Sequence, residues 1–119
     1  MTAEKQQIDR IDFDKGNGLV PVVVQDAASH EVIMLGYANR EAVQRTLDTG
    51  RLHFWSRSRD ELWLKGEKSG NYLLVKRLSL DCDGDALLAE IEEATGKTPI
   101  CHTGAETCFF TEIEPHRAE

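Results

Sequence analysis

Asp81, Cys82, Asp83, Gly84 and Asp85 place three carboxylates and a thiol within five consecutive residues. Carboxylates this close repel one another unless water or a cation screens them. In an extended segment alternate residues share a face. Asp81, Asp83 and Asp85 would then point one way and Cys82 the other. Hard carboxylate oxygens suit Mg2+ or Ca2+, whereas a soft thiolate suits zinc. Such a segment could serve two different metals from its two sides. The competing reading is a polar, solvated turn. An EF-hand is disfavoured, because Ala86 stands where that loop needs glycine and residues 72–80 before it read as strand, not helix.

Two further thiols follow at Cys101 and Cys108, separated by His-Thr-Gly-Ala-Glu-Thr. This is not the tight CxxC of common structural zinc sites, so the spacing alone is weak evidence. An odd number of cysteines argues against a disulfide framework and leaves buried thiols, redox thiols and metal ligands open. Three thiolates on zinc would leave a fourth position for water, the open geometry of a catalytic site, where bound water ionises near pH ~7. His102 neighbours Cys101 and would point away from the same metal in an extended chain. It is the candidate general base, not a ligand. His30 and His116 read as surface residues and His53 as a strand residue.

These groups need a frame. Leu19–Asp26 (LVPVVVQD) is rich in β-branched residues and predicts a strand, with Pro21 marking an edge or a start. Val32–Tyr37 predicts its hairpin partner. Asn39–Thr49 predicts the one firm helix, with Asn39 as N-cap and Gly50 just past its end. Leu52–Ser58 and Leu62–Leu64 predict strands around a turn at Arg59-Asp60, Gly66–Gly70 a loop, and Tyr72–Leu80 a long strand. Ala86–Ala94 has helix-favouring composition, with Leu87, Leu88 and Ile91 on one helical face. Ile100–Cys101 and Cys108–Ile113 are short strand candidates. The sum is a mainly β fold, α+β at the margin.

The 119 residues suggest one domain, residues 1–119, with residues 1–10 expected to be partly mobile. Hydrophobic and charged contents of 40% and 29% are ordinary for a globular protein. The net charge of −7 argues against nucleic acid or an anionic membrane as partner. Apolar runs are far too short to span a bilayer, and the polar N-terminus lacks the apolar stretch of a signal peptide. The expected location is the cytoplasm. An anionic substrate would need a bound cation or a local basic cluster. Arg51, Arg57, Arg59, Lys65 and Lys68 supply such a cluster, unless they form only a solvated surface.

GLVPVVVQD, VIMLGYANREA, LHFWSRSRDELWLKGEKSGN, DCDGDALL and CHTGAETCFF occur in the order found in phosphoribosyl-AMP cyclohydrolases of histidine biosynthesis. The resemblance covers about Ile11 to Phe110 and rests on WSRSR, KGExSGN and DCDxDxLL together. It implies a hydrolase in which water attacks C6 of the adenine ring of phosphoribosyl-AMP and the N1–C6 bond breaks. It also implies zinc on Cys82, Cys101 and Cys108, and magnesium on Asp81, Asp83 and Asp85. A further implication is an intertwined homodimer, a sandwich or pseudobarrel of mainly antiparallel strands. Its zinc site is shared, Cys82 from one subunit and the other two cysteines from its partner. Ala86–Ile91 becomes a strand, against its local helical composition.

Within that frame His102 suits the proton transfers that follow attack. Arg57, Ser58, Lys65, Ser69 and Thr103 are candidate substrate contacts, and Trp55 could stack on the purine, as could Trp63, although both also suit the core. Glu106 and Thr107 stand where many members have arginine and serine, so no phosphate role carries over from that arginine. The segment from Glu92 to Pro99 is slightly longer than usual.

Overall fold

A computed structural model describes residues 7–94 and 107–115. Among the described residues it is mainly β, with two sheets, one ten-residue α-helix and short helical turns at residues 7–9 and Asp14–Gly16. Strands β1 (Val20–Asp26), β2 (Val32–Ala38), β5 (Leu73–Leu80) and β6 (Leu87–Ala94) form one sheet in the order β2-β1-β6-β5. Strands β3 (His53–Ser56) and β4 (Glu61–Leu64) form a separate hairpin. Helix α1 spans Arg40–Thr49. Among the described residues the sheets do not close into a barrel.

Alternation builds the centre. Val20, Val22 and Val24 of β1 are buried, with the residues between them only half so. They meet Leu87, Ala89 and Ile91 of β6 in a core completed by Leu52, Phe54, Leu73, Ala42 and Val43. Ile8, Ile11 and Phe13 close it from the N-terminal side. The β1–β6 pair is parallel, Val22 facing Leu87, and all other pairs are antiparallel. Pro21 lies one residue before that pairing begins, so its missing N–H removes no bond to β6.

Ala86–Ala94 contains strand β6, as the resemblance implies. Pairing on both sides outweighs the modest helical preference of its alanine, leucine and glutamate. Burial does not alternate along β5, because its register against β6 shifts twice, between Leu73 and Arg77. The strand expected at Cys108–Ile113 is absent. Cys108 donates its amide to the Ile33 carbonyl at 2.7 Å, after which the chain leaves β2 without pairing. Ile100–Cys101 lies outside the described residues.

Local signals set α1. The Asn39 side chain accepts from the Ala42 amide at 2.9 Å, and Gly50 ends the helix at φ 74°. Thr46, buried in the helix, accepts from the His53 amide at 2.9 Å and ties α1 to β3. Asn39→Ala should cost about 1 kcal/mol of stability, read as a lowered urea midpoint with unchanged slope. The two sheets meet where Gly36 of β2 faces Phe54 of β3. A Cβ there would lie 2.6 Å from the Phe54 ring, so only glycine allows this approach.

Candidate active site

The Asp81–Asp85 segment is a turn joining β5 to β6, not an extended strand. The two-sided arrangement of carboxylates and thiol expected from alternation therefore does not form. The physical reason is local. Gly84 has φ 77°, and its amide bonds back to the Asp81 carbonyl at 3.2 Å. One Asp81 oxygen accepts the amides of Asp85 at 3.0 Å and Ala86 at 3.2 Å. Desolvation alone would raise the Asp81 pKa. Hydrogen bonds from the Asp85, Ala86 and Gly84 amides outweigh it and hold the carboxyl below its ordinary value.

The Cys82 thiol is exposed and donates to Asp83 Oδ1 at 2.9 Å, so thiol and carboxylate share a side. The Asp83 hydrogen bond is the chief reason the thiol pKa is raised, with desolvation and the Asp81 charge adding to it. A raised value keeps the thiol protonated to higher pH. Asp83→Asn should therefore lower it and speed alkylation of Cys82 in metal-free protein near pH ~8. An unchanged alkylation rate would show that Asp83 does not govern the thiol.

The N-terminal segment packs on this turn. The Asp12 amide donates to the Gly84 carbonyl at 2.7 Å, and Lys15 Nζ lies 3.4 Å from Asp85 Oδ2. Cys108 sits elsewhere, beside edge strand β2, where the Thr107 hydroxyl bonds the Val32 and Ile33 carbonyls at 2.9 and 3.0 Å. The Cys82 turn belongs to the β5–β6 edge, and Cys108 lies beyond the other edge. Three strand spacings, from Cys108 past β2 and β1 to β6, separate them, roughly 14 Å between backbones. Two thiolates on one zinc lie within about 4.6 Å of each other. Cys101, His102 and Thr103 lie outside the described residues, and among the described residues no three metal-binding side chains are gathered. In kind, the exposed thiols would suit zinc, and the carboxylates close in sequence at Asp81, Asp83 and Asp85 would suit magnesium.

The basic cluster surrounds the β3–β4 hairpin. Arg57 lies in its turn, with the guanidinium carbon 3.8 Å from the centre of the Tyr37 ring. Ser56 and Ser58 hydroxyls are 3.4 Å apart, and the Arg59 amide donates to Ser56 at 3.3 Å. Arg59 pairs with Glu61 at 3.5 Å, while Lys65 reaches the Trp63 ring at 5.3 Å. Trp55 is half-buried on β3. Ser69 accepts from the Asn71 amide at 3.2 Å in the following loop. His53 is buried at the start of β3, and His30 is exposed. His116 lies outside the described residues. Tyr37 lies within VIMLGYANREA, but neither its type nor its spacing singles it out there; only the packing of β2 against β3 brings it to Arg57.

A family model described as phosphoribosyl-AMP cyclohydrolase matches residues 34–110. The chain is 49% identical over 104 residues to the phosphoribosyl-AMP cyclohydrolase of Clostridium botulinum (strain ATCC 19397 / Type A), covering 87% of this chain and 92% of that one. Identity is 51% over 105 residues with that of Cenarchaeum symbiosum, covering 88% and 94%. It is 53% over 104 residues with that of Solibacter usitatus, covering 87% and 81%. Similarity of this extent spans β1 to the segment bearing Cys108, and the chain belongs to the phosphoribosyl-AMP cyclohydrolase family.

Proposed function

We propose that this chain opens the adenine ring of phosphoribosyl-AMP by hydrolysis, a step of L-histidine biosynthesis. The observation that carries the reading is the roughly 50% identity to phosphoribosyl-AMP cyclohydrolases over nearly nine-tenths of the chain. Water adds at C6, N1 leaves with a proton, and the oxygen stays on C6. Zinc on Cys82, Cys101 and Cys108 supplies, when bound, a water acidic enough to ionise near neutral pH. His102 is the group that carries the proton toward N1. Arg57, Ser58, Lys65, Ser69 and Thr103 bind the substrate, with Trp55 offering a flat face to the purine. Magnesium on Asp81, Asp83 and Asp85 would offset phosphate charge that a chain of net charge −7 otherwise repels.

The opposite placement of Cys82 and Cys108 supports a homodimer in which each zinc site draws on both subunits, because one protomer holds the two thiols too far apart. The expected location is the cytoplasm; among the described residues no helix is long and apolar enough to cross a membrane. The test is turnover of phosphoribosyl-AMP followed by absorbance. A zinc chelator should remove at least about nine-tenths of the rate, and added Zn2+ should restore it. No turnover by protein loaded with zinc and magnesium would reject the reading.

A further inference from the structure

Four arginines of this acidic chain face carboxylates among the described residues. Arg40 pairs with Asp9, Arg45 with Glu41, Arg59 with Glu61 and Arg77 with Glu90. Arg57, like Arg51 over Tyr72 at 4.3 Å, meets a ring instead: it is exposed, among the described residues its guanidinium meets no carboxylate, and it lies 3.8 Å over the Tyr37 ring in the turn that holds Ser58. A ring face attracts the cation without using its in-plane N–H donors. A guanidinium stacked on a ring keeps those donors available, and their fork matches phosphate oxygens. A carboxylate partner would have consumed them and cancelled the charge.

The stack is built into the join between the sheets. Gly36 admits Phe54 against β2, which fixes β3 beside β2. Tyr37 is the next residue on β2, and Arg57 follows the end of β3. Tyr37 is only half-buried, so its ring is not a core element that the fold requires. The Ser56 and Ser58 hydroxyls stand beside Arg57 in the same turn.

We propose that Tyr37 is a positioning residue that holds Arg57 as a phosphate-binding group for the nucleotide substrate and so sets substrate affinity. The proposal rests on the nucleotide reading above. Binding of 5′-AMP, measured by calorimetry, tests it separately from turnover. Tyr37→Leu should weaken AMP binding roughly three- to tenfold and raise KM for phosphoribosyl-AMP similarly, with kcat within about twofold. Tyr37→Phe keeps the ring face and should retain wild-type affinity. In an Arg57→Ala background, Tyr37→Leu should add nothing further.

Two results would overturn the proposal. One is Tyr37→Leu leaving both AMP affinity and KM within twofold of wild type. The other is Tyr37→Leu weakening binding equally with and without Arg57, which would make its role general packing. If wild-type protein bound AMP as expected but did not turn over phosphoribosyl-AMP, the catalytic reading would fail while the Tyr37–Arg57 result stood on its own.

Discussion

Cys82→Ser and Cys108→Ser should each abolish turnover, yet mixing the two inactive proteins should restore about a quarter of wild-type activity. The sheet order places these thiols at opposite edges, too far apart for one zinc within a protomer. The proposed site shared across a two-fold axis would resolve this, because each protomer would lend Cys82 to one site and Cys108 to the other. In a heterodimer of the two variants one site is intact and the other doubly defective. Random exchange makes half the dimers mixed, and half of their sites are whole. The measurement is activity and bound zinc after unfolding and refolding the mixture, against each variant alone. Mixtures that remain inactive would place all three cysteines of a site in one chain.

Gly66→Ala should destabilise the protein by about 3 kcal/mol or more. Gly66 has φ 91°, which an L side chain rarely adopts. A Cβ there would run into the Asn71 carbonyl and the Tyr72 amide nitrogen, backbone atoms that have nowhere to retreat. Gly70 donates its amide to the Gly66 carbonyl at 2.7 Å, so the loop closes on this residue. Lys65 precedes it and Ser69 follows it, so substrate affinity should fall with stability. Thermal unfolding checks the first effect and KM in the surviving folded fraction the second. A Tm within about 2 °C of wild type would show that the loop opens to admit the methyl group.

What the sequence made legible was local. Asn39 and Gly50 bound α1 as their types require, since a cap involves only residues three or four apart. β1 and β2 were readable from β-branched alternation. Ala86–Ala94 was not readable locally, because its strand state depends on β1 and β5, both distant in sequence. The carboxylate segment stayed open between an extended strand and a polar turn, and the structure shows the turn. Asp83-Gly84 is itself a turn signal, but the alternating aspartates invited an extended reading. The Asp81 side chain, by bonding two amides of its own turn, decides the matter. The three cysteines stood out by type, but no spacing shows that two of them lie at opposite edges of a sheet. The Tyr37–Arg57 contact depends on Gly36 meeting Phe54, a relation between two sheets that neither strand carries alone.

The parallel β1–β6 pair also shapes how the chain must be made. Val22 finds its partner in Leu87, 65 positions later. At translation speeds of about 5–20 residues per second, that wait is roughly 3–13 s. Throughout it β1 and β2 can form only a hairpin, marginal by itself, with Val20, Val22 and Val24 lacking the cover of β6. The centre of the sheet is thus the last part to become available, and its newborn edge is the point at which nascent chains would aggregate unless a chaperone shields it.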